Sequence, residues 1–316
     1  MKSMEVREYV VCYFDLLGQR EGLIEKVRKA DDVTALQGEI DSLSALIRGF
    51  NEDLLRTFGF IKEHGDVVLK FMGMSEESMP EFLDRIKQVH LGIQQFSDST
   101  LFYAGAKDGD GMGFGLFLSF CRYFAAHYLR LVECGIPIRG AIAMGRGWEM
   151  APNCLYGPVM EDVYRLESKV ADSPRIVVAP NAFHRILEVD KEAASINAGP
   201  KPSEHFTVDF DGLYILDYLS LATIQSLETF GIDRRNVLGS LVRGIRSIRT
   251  TLDFYREKAK MDDHAGTIAR KYALLQMYWM QRTGALEKYF DSTQPPLSQP
   301  ISPSQDAQIK SNPVSQ

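Results

Sequence analysis

The run Tyr9-Val10-Val11-Cys12-Tyr13-Phe14-Asp15-Leu16-Leu17-Gly18 reads as an apolar, β-branched and aromatic strand that ends on a carboxylate and then a glycine. Much later the chain repeats the device, with Phe96-Ser97-Asp98-Ser99-Thr100 leading into Leu101-Phe102-Tyr103-Ala104. Buried strands that deliver carboxylates constrain a fold strongly, because a buried carboxylate is costly unless it is paired or binds a metal. Two strands of one sheet, each presenting an Asp, are what a two-metal phosphoryl-transfer site needs. The cations there clamp the attacking and leaving oxygens. Taken singly, Asp15 or Asp98 is as readily a turn former or a helix cap.

Composition narrows the class. With 45% apolar and 25% charged residues the chain can build a sizeable core. Its length allows one large domain or a domain with an appendage. A net charge of −6 argues against non-specific nucleic-acid binding, which relies on a basic surface. Cys12, Cys121, Cys134 and Cys154 show neither metal-ligand spacing nor a CxxC pair, so reduced thiols in a cytoplasmic protein are expected. No signal-peptide pattern precedes the first strand. No apolar run reaches the roughly 20 residues of a membrane span. The six His are scattered without an HxxxH pair, and no zinc site is expected.

Along the chain, a strand over residues 8–15 is followed by a mostly helical stretch over 16–58, with Leu36, Ile40, Leu43, Leu46 and Ile47 at helical spacing. Val67 to Phe71 reads as a short strand and Pro80 to Lys87 as a short helix. Val89 to Phe96 and Thr100 to Ala104 form a hairpin with Asp98 near its turn. A Gly- and Asp-rich connector leads to a long amphipathic helix over Phe114 to Cys134 and a strand over Ile138 to Met144. Trp148 to Tyr156 reads as a loop. Pro158, in the favoured first-turn position, opens a helix to about Ala171. A strand over Arg175 to Ala179, a helix over Pro180 to Leu187 and strand-like alternation over Phe206 to Leu219 follow. From Asn236 the pattern is helical, and the Pro-, Ser- and Gln-rich tail is expected to be disordered. The mix of strands and helices without regular βαβ alternation predicts an α+β, ferredoxin-like sheet flanked by helices, with a helical C-terminal appendage. The expected division is a catalytic domain over residues 1–219, helices over 220–290 and a tail over 291–316.

These residues resemble the class III nucleotide cyclase catalytic domain. Its pattern begins with a strand ending in Asp, two apolar residues and Gly, here Phe14-Asp15-Leu16-Leu17-Gly18. Its second metal Asp lies in a strand-turn-strand hairpin, here Ser97-Asp98-Ser99. A long helix and a strand like Ile138-Arg139-Gly140-Ala141-Ile142-Ala143-Met144-Gly145 come next. A Gly-led helix then carries an Arg before an apolar-Glu-Ser step, here Gly157 to Arg165-Leu166-Glu167-Ser168. A strand like Arg175-Ile176-Val177-Val178-Ala179 closes the core. The ordered set spans residues 8 to about 218.

The resemblance implies roles. Asp15, Asp98 and the Leu16 carbonyl would hold two divalent cations, Mn2+ or Mg2+. Family members are head-to-tail homodimers, and Arg165 would act in the partner's site on the charge of the transferred α-phosphate. The competing role for Arg165 is a surface ion pair with Glu161, one turn away. Phe14, Gly18, Gln94, Cys154 and Glu161 would border the nucleoside triphosphate. Two departures stand out. Glu161 replaces the family's Asn, so it is expected to turn away from the phosphates or to contact the sugar or a metal. The phosphate-gripping Lys loop is missing from Phe206 to Leu219, and Lys201 or an Arg elsewhere would have to substitute. Gln94 and Cys154 occupy the base-reading places but match neither purine code. In this they look like the stand-alone pyrimidine cyclases of the bacterial anti-phage system Pycsar, which make cyclic UMP or cyclic CMP for a separate effector protein. A bulky side chain, Tyr156 or Phe96, is expected to close the smaller base pocket. The alternatives are a degenerate cyclase-like domain that binds a nucleotide or partner without turnover, and a scaffold that carries the C-terminal helices as an interaction module.

Overall fold

The computed structural model describes residues 5–16, 33–63, 79–96, 99–107, 112–195, 201–229 and 233–286. The apolar run around Val10 forms β1 (Arg7–Leu16), antiparallel to β3 (Ser99–Gly105) on one side and to β4 (Ile138–Ala151) on the other. β2 (Leu91–Phe96) pairs with β3 as the expected hairpin. Past β4 the sheet continues through β6 (Ile176–Val178), parallel to β4, and then through β8 (Tyr214–Leu216) and β7 (Phe206–Val208). β5 (Cys154–Tyr156) pairs with the far half of β4. The fold is therefore α+β, with a mixed eight-stranded sheet.

Side-chain alternation gives the sheet two different faces. Phe14 and Phe102 point to the face covered by α3 (Met112–Glu133). There Phe14 meets Phe124 at 4.4 Å between ring centroids, and Phe102 stacks on Phe120 at 3.7 Å. Tyr13 and Asp15 point to the opposite face, where α4 (Pro158–Arg165) lies over β1 and β4 and Tyr164 meets Tyr13 at 4.5 Å. Gly157 begins α4 with φ +120°, and a Cβ there would meet the Gly147 backbone at 2.9 Å, so this crossing needs glycine.

The remaining helices are α1 (Gln37–Glu63), α2 (Met79–Lys87), α5 (Pro180–Ser195), α6 (Leu221–Thr229), α7 (Arg234–Lys258) and α8 (Asp263–Leu286). The C-terminal helices share the core of the sheet rather than sitting outside it. Leu241, Ile248 and Leu252 of α7 and Trp279 of α8 belong to one buried cluster with β1, β3 and α3. Tyr128 of α3 meets Tyr218 edge-on at 4.1 Å, and the Trp279 indole N–H donates to the Tyr218 hydroxyl at 2.8 Å. No helix among the described residues is long and apolar enough to cross a membrane.

Several expectations change. The segment from Trp148 to Tyr156 is not a loop: β4 runs on to Ala151 and turns through Asn153 (φ 59°) into β5. The helix from Pro158 reaches Val170, close to the expected end, but its last turn, Leu166–Val170, is π-helical. The helix after Pro180 is longer than expected, reaching Ser195. The strand expected over Val67 to Phe71 and the C-terminal tail lie outside the described residues, as does the first part of the expected helical stretch over 16–58.

His205, fully buried, is a pH-sensitive point in this fold. The Thr223 hydroxyl donates to the Asp217 carbonyl and accepts from Ser220, so the ring Nδ1–H of His205 must be the donor to Thr223 at 2.9 Å. Burial, with Arg122 nearby, pushes the imidazole pKa down to about 3. The unfolded chain therefore binds a proton near pH 6.5 that the fold refuses until about pH 3, and stability falls as pH drops through that window. The whole window is worth at most ~5 kcal/mol. Glu167 and Asp217, whose pKa values burial raises, oppose this, because they bind protons more tightly in the fold. His205→Asn, which keeps a donor toward Thr223, should flatten the acid limb. Its unfolding midpoint in denaturant should fall less between about pH 7 and pH 4.5 than that of the parent chain.

Candidate active site

Asp15 sits at the end of β1, directly opposite Ser99 of β3 and Arg139 of β4. Its side chain is partly exposed on the face away from α3. Asp98 and Gly18 lie outside the described residues. Ser99, the next residue after Asp98, is the one paired with Asp15, and Leu16 closes β1 opposite Ile138. β1, which carries Asp15, and β3, which begins at Ser99, are therefore adjacent strands.

Arg139 organises the described part of the site. Its Nε donates to Glu167 Oε1, and its Nη2 lies 3.9 Å from Asp15 Oδ2. Glu167 comes from the π-turn after α4 and is almost completely buried. Burial raises its carboxyl pKa, and the Arg139 guanidinium works against that rise. Tyr13 completes this patch. Its phenol hydrogen-bonds the Ser99 side chain, and burial raises its pKa, with Asp15, Tyr164 and Glu167 adding to the rise, so the hydroxyl stays protonated.

A second cluster lies on the same face around the edge strand. Gln94 of β2, opposite Leu101 of β3, accepts a hydrogen bond from Leu155 N at 3.2 Å, and Asn153 Oδ1 accepts from Ile93 N at 3.3 Å. These bonds tie the β4–β5 turn onto β2 and bring Gln94 beside the Cys154–Leu155 peptide. The Tyr103 ring lies across Gly92, where a Cβ would be 2.1 Å from its Cζ, and its hydroxyl donates to Glu149 Oε1. Glu149 Oε2 in turn lies 2.7 Å from His90 Nε2. Burial and the Glu149 carboxylate raise the Tyr103 pKa. The Tyr103 ring therefore fills the space over Gly92, two residues before Gln94 on the same strand, and Phe96 and Tyr156 are 37% and 47% exposed.

Other candidate residues lie apart. Phe14 has its side chain in the core under α3, on the opposite face from Asp15. Arg165 and Glu161 are exposed on α4, and Arg165 pairs at 2.9 Å with Asp162, not with Glu161. Lys201 is exposed just before the short 3-10 turn Pro202–His205.

Among the described residues no group of three or more His, Cys, Asp or Glu could hold a metal ion. The described donors still fit a hard divalent cation in kind. Asp15 and Glu167 flank the Arg139 guanidinium, with the Lys271 charge also acting on Glu167, and carboxylate oxygen suits Mg2+ or Mn2+. Glu167 is committed to Arg139, which leaves Asp15 as the described carboxylate suited to an ion. No known protein family's model matches the chain, and no curated protein matches it.

Sequence reasoning missed Arg139, Glu167 and Tyr13 as neighbours of Asp15, and Tyr103, Glu149 and His90 as neighbours of Gln94. Arg139 and Glu167 both stood in quoted motifs. Their pairing joins a strand to a π-turn, and nothing local in either segment signals it.

Proposed function

We propose that the chain is a metal-dependent nucleotide cyclase of the class III type. It converts UTP or CTP into the 3′,5′-cyclic monophosphate and pyrophosphate, as a head-to-tail homodimer in the cytoplasm. The cyclic nucleotide would act as an anti-phage signal read by a separate effector protein. The observation that carries the reading is the pairing of β1 with β3, which sets Asp15 opposite Ser99, the residue that follows Asp98 in the sequence. The strand order β2-β3-β1-β4, all antiparallel, with helices in both crossovers, is that of a ferredoxin-like unit and supports the same reading.

The chain's own residues divide the work as follows. Two divalent ions, held by Asp15, Asp98 and the Leu16 carbonyl, would polarise the phosphate oxygens and favour ionisation of the 3′-hydroxyl. Arg139, already within 3.9 Å of Asp15, offers a fixed positive charge at the phosphate end, where the Lys loop is missing. Gln94 and Cys154 border the base, and Tyr103 fills the space over Gly92 on the same strand as Gln94. Arg165 is 70% exposed and held only by a surface pair with Asp162. Such pairs are worth about 1 kcal/mol or less, so the guanidinium can leave it to reach a partner's α-phosphate at small cost.

Mixing two inactive chains tests the composite site. Arg165→Ala and Asp15→Ala homodimers should each be inactive. After subunit exchange, half the dimers are mixed and each has one whole site, so about one quarter of parental activity should return. No recovery, with exchange demonstrated by mass-tagged chains, would count against the head-to-tail cyclase.

A further inference from the structure

We infer that a groove on α8 is the docking site of a segment of the chain's own C-terminal stretch, Pro296 to Ile301. The groove lies between α8 and the β7–β8 turn and has a volume of about 290 Å3. Its floor is made of buried side chains, Ile215, Tyr218 and Leu275. Its lip is not buried: Phe210, Met277 and Met280 are 62–66% exposed. Large apolar side chains gathered around a concave surface mark a contact site, and Met adapts its shape to what covers it. Arg175 closes one end, with the Phe210 ring over its guanidinium at 5.5 Å. That guanidinium is already engaged by both Asp209 and Asp211, so it is a poor anchor for a phosphate or an acidic peptide. An uncharged, apolar segment suits the groove better.

The chain itself supplies such a segment. Residues 287–316 lie outside the described residues and follow directly from α8, the helix that forms one wall of the groove. From Ser292 to Gln305 this stretch has no charged residue, and it carries Pro295, Pro296, Leu297, Pro300, Ile301 and Pro303. A run of this kind favours the polyproline II form, in which residues three apart share a face, so Leu297 and Pro300 present together. Pro-rich segments dock in grooves lined by aromatic side chains, here Phe210, Tyr218 and Tyr278. The α8 residues that line the groove run from Leu274 to Gln281. That is about 10 Å of helix, against about 12 Å of polyproline II from Leu297 to Ile301. Leu286 lies about 18 Å along the axis beyond Leu274, and an extended chain from Leu286 to Pro295 spans up to about 30 Å, so the segment can double back. A tethered segment acts at an effective concentration near millimolar, which a free partner has to outcompete. A second copy is less suited, because a strip about 10 Å long is well short of the ~800 Å2 per partner that a stable pair buries.

The test uses the full chain with carbon-13-labelled methionine methyl groups, the Met277 and Met280 signals being assigned by Met277→Leu and Met280→Leu. A double variant, Leu297→Asp with Ile301→Asp, puts charge on the segment and leaves every described residue unchanged. Both lip signals should move in this variant, while that of Met144 on β4 stays in place. A nonspecific protease should cut between Ser292 and Gln305 about tenfold faster in the variant than in the parent. Met280→Asp, at an exposed position of the lip, should speed the same cleavage in a chain whose segment is intact. Lip signals that are the same in the parent and the double variant, or a segment cut equally fast in the parent and both variants, would overturn the inference and leave the groove to a separate partner. A difference that vanishes on dilution of the parent would overturn it as well, and would assign the groove to a second copy.

Discussion

Asp15→Asn should reduce cyclic-nucleotide formation by about a thousandfold or more while the protein stays folded. The asymmetry comes from the surroundings of Asp15. Its carboxylate is 24% exposed and lies 3.9 Å from Arg139, a long contact. Asn has the same shape, so β1 and its register with Ser99 and Arg139 should survive. What is lost is the negative charge, and a neutral amide oxygen holds a divalent cation far more weakly than a carboxylate does. Glu167→Gln is the contrasting control. Glu167 is buried and hydrogen-bonded to Arg139, so its loss should show in the unfolding midpoint as well as in rate. Circular dichroism melts beside product formation separate the two outcomes. An Asp15→Asn protein that melts like the parent and still turns over at the parental rate would remove Asp15 from the chemistry.

The largest effect on stability should come from Asp217→Ala, at about 3–5 kcal/mol. Asp217 follows β8 and is almost fully buried. Tyr278 of α8 donates to one oxygen at 2.6 Å, and Arg282 of α8 lies 2.7 Å from the other. Burial raises the carboxyl pKa, while the Arg282 charge and the hydrogen bonds from Tyr278 and Leu219 work against that rise. Truncation to Ala removes the acceptor and leaves a buried phenol and a mostly buried guanidinium without it. The neighbouring Tyr218–Trp279 hydrogen bond depends on the same docking of α8. Asp217→Asn should cost less, because its amide oxygen still accepts from Tyr278 or Arg282. Denaturant titration of the three proteins gives the order. An Asp217→Ala chain as stable as the parent would show that α8 is held by its apolar contacts alone.

Local pattern carried much of the framework. The β-branched run before Asp15 gave β1, the paired apolar runs gave the β2–β3 hairpin, and Pro158 marked the start of α4. Each is a signal carried by neighbouring residues. The second half of β4 was hidden because Gly145 and Gly147 are poor strand formers. Gly147 is glycine for a tertiary reason: a Cβ there would stand 2.8 Å from the Tyr156 carbonyl oxygen and 3.2 Å from Val159 of α4. The π-turn after Arg165 was also invisible to a helical periodicity, yet it is what places Glu167 against Arg139. Arg165 found Asp162 rather than Glu161, a choice between the two neighbouring positions on the helix surface that spacing leaves open. The C-terminal helices were legible as helices, but their burial against Tyr128 and Tyr218 depends on contacts between distant parts of the chain.

The most direct measurement is incubation of the purified full chain with ATP, GTP, CTP and UTP separately, in manganese, with pyrophosphate and cyclic nucleotide both quantified by mass. The account predicts a 3′,5′-cyclic pyrimidine nucleotide and pyrophosphate in equal amounts, with both abolished in the Asp15→Asn chain. Absence of cyclic product from all four triphosphates would contradict it.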